Sequence, residues 1–200
     1  SNDGKNVSVF REEKIGYIRK PLNNLFPDLD IADITTPVDG KGDFYFRKGS
    51  VERYSYDKLS GGEKAAFDLL LDLVIKTKFY QNTVFCIDEP ETHMHTKLQA
   101  KLLRELYNLI SDNSQLWIAT HSFGMMKEAR KLAQEHSGAV VFLNFDGYDF
   151  DEPVTIEPTS CDALLWKKMR EICFDDYASF FGPQTVVFCE GSRSGKRRDP

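Results

Sequence analysis

Hydrophobic positions recur with two different spacings, and the changeover falls near residue 60. Before it, Ile15, Ile18, Leu22, Leu25 and Phe26 follow helical spacing, with an interruption at Pro21. Pro27 and the acidic stretch behind it close that segment. Residues 31–56 then alternate in patches, Asp43-Phe44-Tyr45-Phe46-Arg47 and Val51-Glu52-Arg53-Tyr54, with Gly40 and Gly42 among them. That pattern predicts antiparallel strands joined by turns.

After Ser60, short apolar runs take turns with amphipathic stretches. Ser60-Gly61-Gly62 opens a helix from about Glu63 to Lys78, with Phe67, Leu70, Leu71 and Val74 on one face. Thr83-Val84-Phe85-Cys86-Ile87 is continuously apolar, as expected of a strand buried on both faces. A helix over about Thr96 to Ile110, a buried strand over Gln115 to Thr120 and a helix over about Met125 to Glu135 follow. Further strands are expected at Ala139–Leu143, Val154–Ile156 and Thr185–Cys189, with a helix capped by Ser160 across about Asp162 to Phe174. Strands alternating with helices predict an α/β fold. Its sheet is mostly parallel with flanking helices and right-handed crossovers, preceded by a small antiparallel segment. No internal repeat or low-complexity segment is present.

Two hundred residues suit one domain, with the start of a second. The net charge of -5 excludes a uniformly basic nucleic-acid surface but not a local basic patch. No apolar run is long enough to span a membrane, and the N-terminus has no signal core. Cys86, Cys161, Cys173 and Cys189 form no CxxC pair, which argues against zinc. Cys86 and Cys189 lie in apolar strand-like runs and read as buried, reduced thiols, which predicts a cytoplasmic protein. Ser1-Asn2 reads as a cloning or processing remnant, and both ends read as cuts in a longer protein.

Three short stretches carry candidate chemistry. Leu59-Ser60-Gly61-Gly62-Glu63 starts a helix, where free N–H groups and the helix dipole favour an anion; plain capping by Ser60 is the other reading. Val84-Phe85-Cys86-Ile87-Asp88-Glu89-Pro90 delivers two adjacent carboxylates to the C-terminal end of a strand, the edge where open parallel sheets bind ligands. One carboxylate can hold magnesium and the other can orient or deprotonate an attacking water, or the two simply mark an acidic turn. Trp117-Ile118-Ala119-Thr120-His121-Ser122 brings a histidine to the same edge, where it can hydrogen-bond a terminal phosphate or serve the fold.

In this order and spacing the three stretches resemble the ABC-type ATPases. Leu59–Glu63 resembles the signature motif, Asp88-Glu89 the Walker B motif and His121 the switch histidine. Glu63-Lys64 after the signature glycines is similar to the soluble, SMC-related branch. Asp88-Glu89-Pro90-Glu91-Thr92-His93-Met94-His95 resembles the corresponding stretch of OLD-like and RecF-like ATPases, and the transporter D-loop is absent. The resemblance implies an ATP-hydrolysing head that uses ATP and Mg2+ and forms a homodimer around the nucleotide. Asp88 is the implied metal ligand. Glu89 and His121 are the catalytic pair. Ser60, Gly61, Gly62 and Glu63 contact the partner's nucleotide, and residues 91–95 lie at the dimer seam. His93 and His95 either share a metal or pack together.

The sequence also departs from the family. No Walker A motif is present, because Gly191-Ser192-Arg193-Ser194-Gly195-Lys196-Arg197 has a short spacer, an arginine in place of Ser or Thr, and the wrong order. The Q-loop glutamine has no clear match either. The expectation is a Walker A ahead of residue 1, and a fragment inactive alone. Val186–Gly191 resembles the opening of a TOPRIM-type nuclease domain, with Glu190 as its metal-binding acid; a strand-end acid of the ATPase fold is the other reading. The expected division is 1–56 and 57–158 within the ATPase, then 159–200 as a link into the nuclease. The implied function is a DNA-acting protein, a nuclease or phage-defence factor, controlled by ATP-driven dimerisation, with no membrane partner. The alternatives are a non-catalytic interaction module on the same fold and a transporter nucleotide-binding subunit.

Overall fold

The structure, a computed structural model, describes residues 7–34, 43–145, 147–149, 151–159, 161 and 165–168. Helix α1 (Val7–Leu25) runs through Pro21 rather than stopping there. Proline removes one helical hydrogen bond and costs about 3 kcal/mol in a helix interior. Burial of Ile18, Leu22 and Leu25 on either side of it outweighs that cost.

Strands β1 (Leu29–Ile34), β2 (Phe44–Lys48) and β3 (Val51–Ser55) form the expected antiparallel meander. Leu29, Ile31 and Phe46 are fully buried. Helix α2 (Gly61–Phe79) carries Phe67, whose ring meets those of Phe44 and Phe46 edge-on at 5.0 and 5.1 Å. Each such contact contributes about 0.5–1.5 kcal/mol beyond its buried area. This packing fixes the start of α2 against the meander.

Strand β4 (Val84–Asp88), helix α3 (Thr96–Leu109) and strand β5 (Gln115–Ala119) form one parallel crossover unit. The pairing runs from Val84 opposite Gln115 to Asp88 opposite Ala119. The expectation that these strands are buried on both faces is wrong. Phe85 is buried, whereas Val84 and Trp117 are 52% and 51% exposed and Cys86 is exposed rather than a buried thiol. The apolar core covers only one face of this two-stranded sheet among the described residues.

Helix α4 (Phe123–Glu135) packs on α3. Arg104 of α3 bonds Glu128 at 2.6 Å and also pairs with Glu135, locking the two helices together. The parallel strand expected at Ala139–Leu143 shrinks to β6 (Phe142–Leu143). It pairs antiparallel with β7 (Pro158–Thr159), and Val154–Ile156 is not a strand. An Asp-, Gly- and Pro-rich stretch, with Gly147 in the left-handed region at φ 84°, turns the chain back on itself. Among the described residues the sheet content is therefore one parallel pair and two antiparallel sheets, less parallel than expected. No helix there is long and apolar enough to cross a membrane. Residues 165–168 are helical. The rest of the helix expected over 162–174, the Ser160 cap, the strand Thr185–Cys189, Glu190 and the Gly191–Arg197 loop lie outside the described residues.

Candidate functional site

Because β4 and β5 pair in step, their C-terminal ends finish together. Asp88 is the exposed last residue of β4. The Glu89 N–H extends the ladder by one bond, to the Ala119 carbonyl at 2.9 Å. Glu89 then takes φ 42°, a left-handed conformation uncommon outside glycine, and the chain leaves the sheet sharply. Thr92 braces this turn by donating its N–H (3.2 Å) and hydroxyl (2.9 Å) to the Glu89 carbonyl. The Glu89 carboxylate ends 3.5 Å from Nε2 of His121, with the two side chains 54% and 70% exposed. An ion pair so open to water contributes little by itself. Its chemical value depends on being closed off from solvent.

A polar network holds the two loops together. Glu91 Oε1 accepts the Thr120 hydroxyl at 2.6 Å and the His121 backbone N–H at 2.9 Å. Ser122 caps α4 by accepting the Met125 N–H at 3.0 Å, and donates its own hydroxyl to Gln99 Oε1 at 2.6 Å. Gln99 in turn donates from Nε2 to the Met94 carbonyl at 2.8 Å. Sequence reasoning gave Glu91 only a general place at the dimer seam and missed Gln99. Glu91 stands out in the Asp88–His95 stretch, but the partner of its carboxylate does not show in the sequence.

The start of α2 packs against His93 and Met94 of the 89–95 loop. Ser60 and Glu63 form a reciprocal cap: Ser60 Oγ accepts the Glu63 N–H at 3.3 Å, and Glu63 Oε2 accepts the Ser60 N–H at 2.8 Å. The Lys64 N–H goes to the Ser60 carbonyl at 2.9 Å. The N–H groups of Gly61 and Gly62 have no acceptor among the described residues. A Cβ on Gly62 would come within 2.9 Å of the His93 carbonyl oxygen, so only glycine allows this approach. His93 itself is left-handed at φ 66°. His95 caps α3, with Nδ1 accepting the Lys97 N–H at 3.3 Å. No three His, Cys, Asp or Glu side chains among the described residues cluster as metal ligands.

Asp88, Glu89 and His121 thus share one sheet end, and the Gly61–Gly62 turn packs against His93 of the 89–95 loop. Glu190 lies outside the described residues. Glu63 is buried, and both its oxygens are engaged within the fold, one by Ser60 and the other by Lys48 at 2.6 Å. Burial pushes its carboxyl pKa up, but the bonds from Lys48 and Ser60 outweigh burial and hold it below the usual value of 4.5. A lowered folded-state pKa gives stability that is fully present above about pH 4.5 and lost as pH falls through the folded value. Glu63→Gln is therefore expected to cost about 1 kcal/mol at neutral pH. The gap in melting temperature between the two proteins should close as the pH is taken below 4.5.

The fold is similar to that of solved SMC ATPase heads. It superposes on a structure described as "Structural biochemistry of ATP-driven dimerization and DNA stimulated activation of SMC ATPases", with a TM-score of 0.59 and 18% identity. That match covers 84% of this chain and 96% of that one. It also matches "Crystal structure of the SmcHead bound to the C-winged helix domain of ScpA", with a TM-score of 0.50 and 21% identity over 62% of this chain. The present chain spans only 39% of that second chain. A family model described as "AAA domain, putative AbiEii toxin, Type IV TA system" matches residues 11–126, more than half the chain, and the chain belongs to that family. No curated protein matches the sequence significantly.

Proposed function

We propose that this chain is the signature-bearing part of an ATP-hydrolysing ABC-type head, of the OLD-like or RecF-like branch, that acts on DNA in a longer cytoplasmic protein. The observation that carries the reading is the approach of Glu89 to His121, at 3.5 Å, where the parallel strands end. Open parallel sheets bind ligands at that edge. The amides of Gly61 and Gly62, which have no acceptor among the described residues, add a phosphate-binding surface at a helix N-terminus.

The residues present fit one part of a magnesium–ATP site, the part other than the phosphate-cradling Walker A loop, which this sequence lacks. Asp88 offers an exposed carboxylate for the metal. Ser60 Oγ uses a lone pair to cap the helix, so its O–H proton remains available to a phosphate oxygen. Magnesium supplies charge neutralisation on the phosphates when bound. Glu89 orients the attacking water and accepts its proton. His121 donates a hydrogen bond to the terminal phosphate. Ser60, Gly61 and Gly62 serve the nucleotide of a partner copy, so a homodimer completes each site, and Glu63 holds their helix start in shape.

ATP-driven dimerisation and DNA stimulation, named for the similar SMC structure, support a dimer and a DNA partner here. Glu190 is proposed as the first metal-binding acid of a TOPRIM-type nuclease segment. The test is ATP binding and turnover by the full-length protein carrying Glu89→Gln. Retained binding with lost turnover is the expected result. Unchanged turnover would leave the fold as an interaction module.

A further inference from the structure

We propose that Glu91 is the positioning residue for His121, a role that rests on the ATPase reading above. One carboxylate oxygen, Oε1, takes donors from two consecutive residues, the hydroxyl of Thr120 and the backbone N–H of His121. The second oxygen, Oε2, is buried with no hydrogen-bond partner among the described residues. With Oε1 engaged by these two donors and Oε2 buried, Glu91 acts through the protein and not on substrate.

Glu91 is itself well anchored. The Met94 N–H bonds its carbonyl at 3.0 Å, and Gln99 holds the Met94 carbonyl beside it. Thr92, the next residue, is tied back to the Glu89 carbonyl at 2.9 Å. The carboxylate therefore sits on a braced turn. The segment it grips follows the last ladder residue of β5, where no strand partner continues among the described residues. From the other side, Ser122 is fixed by Gln99 and by its cap on α4. His121 lies between these two anchors. Its side chain projects into solvent, and its backbone direction is set by the Glu91 bond. Glu89 leaves β4 two residues before Glu91, so one short turn carries the water-orienting acid and fixes the histidine that works with it.

Glutamine keeps an acceptor oxygen at this position, and alanine removes it. Hydrogen–deuterium exchange on the full-length protein, read over the peptide containing Thr120–Ser122, tests the contact. Glu91→Ala is expected to speed exchange there about tenfold or more, with Glu91→Gln within about threefold of the parent. In steady-state ATP hydrolysis, Glu91→Ala is expected to lower kcat about tenfold with KM nearly unchanged, and Glu91→Gln to recover most of it. Exchange in Glu91→Ala within twofold of the parent would overturn the proposal, whatever the ATPase result. Faster exchange with undiminished kcat would overturn it as well. A parent protein whose turnover ignores Glu89→Gln would refute the ATPase reading separately.

Discussion

Full-length protein carrying Glu89→Gln is expected to bind ATP as well as the parent but to turn it over at least about a hundredfold more slowly. The amide has nearly the shape of the carboxylate, so the left-handed turn and its bond to Ala119 survive. What disappears is the negative charge that faces His121 at 3.5 Å and would take a proton from water. Ground-state binding rests on other groups, so kcat falls while KM moves little. The pair is more than half exposed in this structure, which sets a second expectation. The loss should appear only under conditions that let two heads close, because a pair in open water has little catalytic leverage. Rapid-mix phosphate release together with equilibrium nucleotide binding measures both quantities.

Gly124→Ala is expected to destabilise the fold by about 2 kcal/mol, a net of two opposed effects. An added Cβ would lie 2.4 Å from the Thr96 carbonyl oxygen and 3.1 Å from Thr96 Cγ2, at the start of both α4 and α3. Backbone cannot yield there without opening the joint between the two helices. Overpacking of this kind costs about 3 kcal/mol. Alanine returns about 1 kcal/mol of helix propensity. The same substitution at Gly16, inside α1 with nothing within 4 Å of the added Cβ, meets no such clash. It is expected to be neutral or to stabilise by up to about 1 kcal/mol. Thermal unfolding should separate the pair, with Gly124→Ala lowering Tm by about 6 °C. Since Ser122 caps α4 just ahead of Gly124, a shift at this joint also moves the segment that carries His121.

Much of the site was legible because sheet ends can be read from where apolar runs stop. The runs ending at Ile87 and Ala119 are of equal length and joined by one helix, so their carboxylates and histidine had to emerge side by side. The helix start at Ser60 was legible from its cap and glycines. Solvent exposure of the strands was not. Val84, Cys86 and Trp117 are apolar, and an apolar run cannot say whether one face or two will be covered. The path of α1 through Pro21 depended on burial of its neighbours, which local propensity does not contain. Strand direction failed at β6, because two paired residues are held by the returning chain and not by a crossover. The role of Glu91 was hidden for a related reason. It depends on left-handed backbone at Glu89 and His93, both non-glycine positions that give no sequence signal.

Gly61→Asp, introduced into the full-length Glu89→Gln protein, probes the assembled site most directly. A Cβ at Gly61 meets only ordinary contact with His93, at 3.7 Å, and an acid in the first turn of a helix suits its dipole. The fold should therefore keep its melting temperature. The same negative charge stands where a partner's phosphate would approach. With ATP and magnesium, light scattering should show Glu89→Gln doubling in mass and the double variant remaining a monomer. A double variant that dimerises with ATP as fully as Glu89→Gln alone would contradict the account.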